Sequence, residues 1–213
     1  VAGTTVMMRE FKARAFLEIA ARERMTHALM VPAMYNLCLL EKDFASFDLT
    51  AWKVGGFGGA PMPETTIERL AEALPRLVLL NIYGATETSS PATMMPRGAI
   101  TDHLDSVGKP LPAAHIVVVD DNGIEVPRGT IGEIWIGGPM VIPRYWDNPD
   151  ADASSFFAGY WRSGDLGSID DEGYIRVLDR KKDVVNRGGF KIYSIDVENV
   201  LAVLQQAGAD AVE

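Results

Sequence analysis

The first half of the chain alternates apolar stretches at helical spacing with short continuous apolar runs. Apolar residues recur with a period of three to four between Glu10 and Ala21 and again after Pro63, which predicts two helices. The runs Thr26 to Val31 and Leu77 to Leu80 follow these helices and are typical of buried strands. This half therefore predicts α/β layers with a mainly parallel sheet.

Beyond Gly108 the pattern changes to short strands separated by turn residues. Strands are predicted at His115 to Asp120, Glu133 to Ile136 and Tyr174 to Leu178, with Asn122-Gly123 and Asp171 to Gly173 as turns. This pattern of short strands and turns predicts a small antiparallel β subdomain.

A charged run from Asp179 to Asp183 then interrupts the strand pattern and is predicted to be a linker. Ser194 is a candidate N-cap for a helix with an apolar face. We therefore predict three parts: an α/β part at residues 1–108, the antiparallel subdomain at 109–179, and a hinge with the start of a mobile α+β domain at 180–213.

Composition restricts the partners and the setting. The net charge of -9 argues against a nucleic-acid duplex or an anionic membrane as partner. The lone Cys38 excludes an internal disulfide, which favours a reducing, cytoplasmic setting. No segment reaches the ~20 apolar residues of a membrane span, so we predict no transmembrane segment.

The chain opens without Met, close to a strand-like segment at Val6 to Met8, and it stops at Ala211 to Glu213, where another apolar segment begins. We therefore expect an internal fragment of a longer protein.

Four segments are candidates for chemistry, and each lies where a strand ends or a loop begins: Gly58 to Pro61, Asn81 to Glu87, Arg162 to Asp165, and Asp179 to Lys191. In open α/β sheets, ligands bind at the carboxyl ends of strands, and the Tyr83 to Thr88 loop is predicted to follow such a strand. Glu87 offers a hard oxygen for Mg²⁺ and Thr86 a hydroxyl for phosphate. Asp165, held by Gly164 in a tight turn, offers acceptors for vicinal sugar hydroxyls.

Each motif has a simpler structural reading when it is taken alone. Thr86-Glu87 is more often a turn or helix start, Asp165 could cap backbone amides, and the run Arg180 to Lys182 is most simply a solvated charged surface. The dinucleotide fingerprint fails at Pro61, and there is no Walker loop, nucleophile elbow or paired-histidine zinc helix. The order of the four motifs, rather than any one of them, is informative.

In that order and spacing the chain resembles the adenylate-forming superfamily of acyl- and aryl-CoA synthetases, luciferases and peptide-synthetase adenylation domains. The resemblance is most specific at Asn81 to Glu87 and at Tyr160 to Lys191. It implies ATP-dependent activation of a carboxylic acid to an acyl-adenylate, followed by transfer to CoA, with Mg²⁺, ATP and CoA as cofactors or co-substrates.

The resemblance also implies roles for individual residues. The predicted nucleotide-binding residues are Gly59, Ala60 and Pro61 in the adenine pocket, Tyr83 beside the adenine, Asp165 at the ribose, and Arg180 at ribose or phosphate. Thr86 and Glu87 are the predicted catalytic residues, with Glu87 as the Mg²⁺ ligand. Lys182 matches the family's hinge, and Gly188, Gly189 and Lys191 match the loop on the CoA side.

Departures from the family pattern are mild, but two family elements are expected outside the chain. Arg144-Tyr145-Trp146 stands where a Gly-Tyr pair is usual, Ser163 replaces a frequent threonine, and Ser194 a common proline. The phosphate-binding loop and the adenylation lysine are expected outside this chain. We therefore expect this chain alone to be inactive, and an uncovered apolar face makes a homodimer one expected state.

The residues leave several functions open. A peptide-synthetase adenylation domain that loads a carrier protein, a luciferase-like oxygenase and a non-catalytic AMP-binding module are the alternatives to an acyl-CoA synthetase. The residues expected beside the acyl group, Gly55 to Phe57 and Thr88 to Pro91, carry no charge, which favours a fatty or aromatic acid.

Overall fold

The structure is a computed structural model that describes residues 3–187, 190–194, 197, 200 and 201. The chain divides into two compact units, Val1–Leu80 and Asn81–Glu213. Among the described residues, no helix combines the length and the apolar composition needed to cross a membrane.

The first unit consists of helices and parallel strands. Its elements are α1 (Ala13–Arg22), β1 (His27–Met30), α2 (Pro32–Leu39), β2 (Val54–Phe57), α3 (Glu64–Ala73) and the start of β3 (Val78–Gly84). Strands β1 and β2 pair in parallel, with His27 opposite Val54. Helices α1 and α3 bury residues of the apolar stripes that the sequence predicts, such as Phe16 and Leu70.

Strand β2 is rich in glycine because a tyrosine from α2 packs against it. The hydroxyl of Tyr35 donates a hydrogen bond to the carbonyl of Gly56 at 2.9 Å. A Cβ atom at Gly55 would lie 2.9 Å from that hydroxyl, so a larger residue would displace the tyrosine. Gly55, one of the two glycines that weaken the strand pattern in the sequence, is therefore required by this contact.

The second unit is mostly antiparallel. Its elements are the rest of β3, then β4 (Pro91–Met94), β5 (Lys109–Pro110), β6 (His115–Val119), β7 (Gly132–Gly137), α4 (Pro149–Ser155), β8 (Phe156–Phe157), β9 (Tyr160–Ile169), β10 (Ile175–Arg180), β11 (Val185–Arg187) and β12 (Phe190–Ile192). Strands β3, β4 and β5 pair in that order and antiparallel. A second sheet has the order β10-β9-β7-β6, with β8 beside β9, and β11 pairs with β12.

The predicted α/β class followed by antiparallel β structure is confirmed. The sheet that contains β3 is mixed rather than mainly parallel, because β4 and β5 add to it in antiparallel orientation. The described residues of the helix predicted after Ser194, namely 194, 197, 200 and 201, are helical. The division at residues 108 and 179 stays a prediction.

The core of the second unit lies on one face of the β10-β9-β7-β6 sheet. Its buried residues come from all four strands: Ile116, Val118, Ile134, Ile136, Trp161, Ile169 and Ile175, together with Ala92 of β4. This packing holds β7, β9 and β10 against one another, and these strands carry the side chains of the site described below.

Replacing Ile134 by alanine tests this core. Ile134 is completely buried, so Ile134→Ala should cost about 2–5 kcal/mol of unfolding free energy through lost apolar contact and the cavity left behind. Ile131, three residues earlier and 45% exposed, is the matched control, and its alanine variant should lie within about 0.5 kcal/mol of the parent. Urea unfolding measures both, and equal losses would contradict the assignment of the core.

Candidate active site

The first part of the site is the end of β3 and the turn that follows it. The sequence predicts a loop from Tyr83 onward, but β3 continues to Gly84, because β4 pairs with it and Tyr83 lies opposite Thr93. A 3-10 turn at Thr86–Thr88 follows. Tyr83 is therefore on a paired strand, and only the residues after Gly84 form the loop.

Thr88, which is fully buried, fixes this turn. Its hydroxyl accepts a hydrogen bond from the N–H of Ala85 at 3.0 Å and donates one to the carbonyl of Ser90 at 2.6 Å. Thr86, the predicted phosphate ligand, is exposed, and Glu87 is half-buried. The turn thus presents the two predicted catalytic residues from a backbone that is held in place.

Asp165 lies in the middle of β9, not in the predicted tight turn. Gly164 has φ of +72°, and the register between β7 and β9 shifts between Glu133 and Trp135, which indicates a β-bulge. The hydroxyl of Ser163 fixes the bulge by donating to the carbonyl of Ile134 at 2.6 Å and accepting from the N–H of Asp165 at 3.0 Å. The serine that replaces threonine here keeps this hydroxyl.

The structure brings Tyr83, Asp165 and Arg180 together from three strands. The hydroxyl of Tyr83 donates to Asp165 Oδ2 at 2.5 Å, and Arg180 Nε lies 2.8 Å from Asp165 Oδ1. Asp165 is 6% exposed, so its carboxylate is almost removed from water. Each carboxylate oxygen has further lone pairs, and these can accept hydrogen bonds from a ligand.

The electrostatics of this cluster follow from burial. The pKa of Asp165 is raised, and burial is the main cause. The hydrogen bond from Tyr83 and the charge of Arg180 lower this pKa, but they do not cancel the rise. Burial, and then the charge of Asp165, also raise the pKa of Tyr83, so its hydroxyl keeps its proton and acts as a donor at neutral pH.

Glu87 accepts a hydrogen bond from Tyr145, a residue that stands out in the sequence only as part of a departure from the family pattern. The hydroxyl of Tyr145 donates to Glu87 Oε1 at 2.9 Å, and the indole N–H of Trp161 donates to that hydroxyl at 3.3 Å. Nothing in the local sequence pattern links Tyr145 with Glu87, which lies 58 positions earlier in the chain. Only the fold reveals this contact.

The charged run after Leu178 is not a simple linker. Asp179 and Arg180 are the last residues of β10, and Asp179, 8% exposed, accepts hydrogen bonds from the N–H groups of Arg180 and Ser194. Lys181 contacts Asp121 at 2.9 Å and the buried Glu133 at 3.3 Å, and the hydrogen bond to Asp121 is the main cause that raises the pKa of Lys181.

The remaining predicted residues are in the first unit, in the segment after Arg180, or outside the described residues. Gly59, Ala60 and Pro61 are exposed after β2 in the first unit, so their place beside the adenine stays a prediction. Lys182 is exposed in the turn after β10, and its hinge role stays a prediction. Lys191 is in β12, opposite Asn186, whereas Gly188 and Gly189 lie outside the described residues.

Glu87 fits the chemistry of a Mg²⁺ ligand. Within the described part of the chain, no group of three or more acidic, histidine or cysteine side chains could hold a metal by itself. Mg²⁺ that accompanies a nucleotide needs only one or two protein carboxylates, because phosphates and water supply the other oxygens. Oε2 of Glu87 accepts no hydrogen bond from the described residues, so it can serve as such a ligand.

Comparison with known proteins agrees with these features. The sequence model of a family described as AMP-binding enzyme matches residues 1–146, which is more than half of the chain. The chain belongs to the family of AMP-binding enzymes. The resemblance inferred from the motifs is thereby confirmed.

Individual relatives within the AMP-binding enzymes are acid ligases. A fatty acid–[acyl-carrier-protein] ligase, ScoC of Streptomyces coeruleorubidus, is 34% identical over 207 residues, 94% of this chain and 39% of the relative. A long-chain-fatty-acid–CoA ligase of Escherichia coli O6:H1 is 35% identical over 85% of this chain and 32% of its own length.

A solved structure shows the same fold. The o-succinylbenzoate coenzyme A synthetase MenE of Bacillus subtilis, in complex with ATP and magnesium ion, superimposes with a TM-score of 0.82 at 31% identity, over 91% of this chain and 40% of that one. This chain thus spans about two fifths or less of the length of these relatives.

The raised pKa of Asp165 predicts a specific pH dependence of stability. A group whose pKa is higher in the folded state stabilises the fold fully below its unfolded value, about 3.9 for Asp, and loses that contribution as the pH rises through the folded value. The parent protein should therefore lose stability relative to Asp165→Asn as the pH rises above about 4. Urea midpoints measured across this range check the result.

Asp120→Asn is the control with the opposite sign. The hydrogen bond from the backbone N–H of Ile124 is the main cause that lowers the pKa of Asp120, so this group stabilises the fold above its unfolded pKa. The parent should gain stability relative to this variant as the pH rises. The same sign for both variants would contradict the assignment at Asp165.

Proposed function

We propose that this chain carries part of the nucleotide site of an ATP-dependent acid–thiol ligase. The parent reaction activates a carboxylic acid to an acyl-adenylate and transfers the acyl group to CoA. The observation that carries this proposal is the convergence of Tyr83, Asp165 and Arg180 from three strands, in a chain of the AMP-binding enzyme family.

Asp165 binds the ribose hydroxyls in this proposal. Its carboxylate is held by Tyr83 and Arg180 before any ligand arrives, so little reorganisation is needed when vicinal hydroxyls donate to its remaining lone pairs. Tyr83 borders the adenine with its ring. Arg180, whose side chain is 53% exposed, has guanidinium nitrogens left for ribose or phosphate oxygens.

Thr86 and Glu87 serve the phosphate side of the site. Thr86 is exposed on a fixed turn and can donate its hydroxyl to a phosphate oxygen. Glu87 supplies one oxygen ligand to Mg²⁺, which when bound neutralises charge that develops on the phosphates. Nucleotidyl transfer depends mainly on positioning and charge neutralisation, and the absence of a protein nucleophile among these residues is consistent with this.

The acid in this proposal is a fatty or aromatic one. The uncharged Gly55 to Phe57 and Thr88 to Pro91 segments support an apolar acyl group. Relatives named for long-chain fatty acids and for feruloyl-CoA support the same class.

A carrier protein is the second candidate for the acceptor. The relative ScoC is named as a ligase for an acyl-carrier protein, and it matches this chain as well as the CoA ligases do. The adenylation half-reaction is the same for both acceptors, so the nucleotide site described here serves either of them.

Calorimetric titration with AMP and with a non-hydrolysable acyl-adenylate mimic tests the nucleotide site. We expect the parent chain to bind both and Asp165→Ala to lose at least about tenfold in affinity, since hydrogen bonds to a charged acceptor contribute about 1.5–3 kcal/mol. Asp105→Ala is the matched control, because Asp105 also pairs with an arginine, Arg176 at 2.8 Å, but is exposed and, within the described part of the chain, forms no hydrogen bond or ion pair with Tyr83 or Arg180.

Equal binding by the parent and by Asp165→Ala would remove Asp165 from the site. Absence of binding by a folded parent chain would overturn the proposal that this chain holds the site.

A further inference from the structure

The segment between β7 and α4 folds back onto the turn that carries Glu87. The N–H of Ile142 donates to the carbonyl of Glu87 at 2.8 Å, and the hydroxyl of Tyr145 donates to its carboxylate at 2.9 Å. Backbone and side chain of Glu87 are thus held by residues only three positions apart. One of these two hydrogen bonds would be enough to attach the segment to the turn.

The direction of the hydrogen bonds is fixed by chemistry. The indole N–H of Trp161 can only donate, and Trp161 is 5% exposed in the core of the sheet. It therefore occupies a lone pair of the Tyr145 oxygen, and the single hydroxyl proton of Tyr145 points to Glu87 Oε1. The series Trp161 to Tyr145 to Glu87 runs one way, and it requires Glu87 Oε1 to be an acceptor.

Tyr145 is itself held against rotation. Its N–H donates to Asp152 Oδ1 at 2.7 Å, and its ring packs against Phe156 with centroids 5.4 Å apart. Both partners belong to α4 and the strand directly after it. The hydroxyl that contacts Glu87 is therefore placed by the backbone, the ring and the indole together.

We propose that Tyr145 is a positioning residue for Glu87, which keeps Oε1 occupied and presents Oε2 to the divalent cation of a bound nucleotide. This inference rests on the proposed nucleotide site. It adds a specific consequence: the benefit of Mg²⁺ for nucleotide binding depends on the hydroxyl of Tyr145, whereas binding of AMP without metal does not.

Titration calorimetry with ATP at increasing Mg²⁺, and with AMP without metal, tests this inference. In Tyr145→Phe, the gain in ATP affinity caused by Mg²⁺ should fall about three- to tenfold, because the carboxylate loses the donor that fixes it. AMP affinity should stay unchanged. On a Glu87→Gln background, Tyr145→Phe should have no further effect, since the two residues act as one unit.

Tyr160→Phe is the matched control. Tyr160 begins β9, and its hydroxyl contacts His115 instead of Glu87, so this variant should keep the full effect of Mg²⁺. Asp152→Ala acts on Tyr145 only through its backbone N–H and should reduce the Mg²⁺ effect in the same direction by less. It provides the measurement if Tyr145→Phe does not fold.

The other outcomes separate this inference from the proposed function. A Tyr145→Phe variant that keeps the whole Mg²⁺ effect while Glu87→Gln abolishes it would overturn the positioning role alone. Equal weakening of AMP and ATP binding, with and without Mg²⁺, would show that Tyr145 only supports the fold. A folded parent chain that binds AMP but whose ATP affinity gains nothing from Mg²⁺ would overturn this inference and leave the proposed ribose site standing. A folded parent chain that binds neither nucleotide would overturn both this inference and the proposed function.

Discussion

A carboxylate that is almost removed from water must be compensated by nearby donors, and the site in the second unit is arranged around this requirement at Asp165. A hydrogen bond to a charged group contributes about 1.5–3 kcal/mol, whereas an ion pair with an exposed partner contributes about 0–1 kcal/mol. Arg180 is half exposed, so the hydroxyl of Tyr83 provides the larger share. Both contacts depend on β3 reaching Gly84 and on β10 reaching Arg180.

The two basic residues at the end of β10 each form ion pairs with acidic residues of the same unit. Arg180 pairs with Asp165, and the next residue, Lys181, pairs with Glu133 and Asp121. The N–H of Lys181 also donates to the carbonyl of Gly164 at 2.7 Å, the residue of the bulge that places Asp165. The last residue of β10 and the residue after it therefore contact two buried acids from neighbouring strands, and the compensation at both acids fails together if the end of β10 frays.

The parts of this fold that the sequence predicts are those that depend on local periodicity. Helices α1 and α3 and strands β1, β6 and β7 follow from the spacing of apolar residues. Strand β2 was not predicted, because two glycines weaken its strand pattern, and Tyr35, which requires one of them, Gly55, lies far away in the chain. The extension of β3 to Gly84 and the bulge at Gly164 depend on pairing with distant strands, which no local pattern encodes.

In the candidate site, too, some features could be predicted from the sequence and others depend on contacts between distant residues. Tyr83, Glu87, Asp165 and Arg180 were found because the motifs around them resemble a family. Their mutual contacts could not be predicted, since they join residues up to 82 positions apart. Tyr145 was missed because a tyrosine in a loop has no chemical signature until its hydroxyl is seen to meet a carboxylate. Resemblance thus identified the candidate ligand-binding residues, and the structure added Tyr145, which contacts one of them.

The bond between Asp179 and the N–H of Ser194 joins the segment beyond Lys182 to the strand that carries Arg180. A ligand at Asp165 that weakens the Arg180 contact would act on β10, and through Asp179 on the segment that Asp179 holds. Thermodynamic linkage is reciprocal, so a coupling of this kind would change the affinity at Asp165 by the same factor when that segment is tightened or released. Under the proposed function, a binding partner that contacts only the residues after position 182 would then act as an allosteric effector of the nucleotide site without touching it.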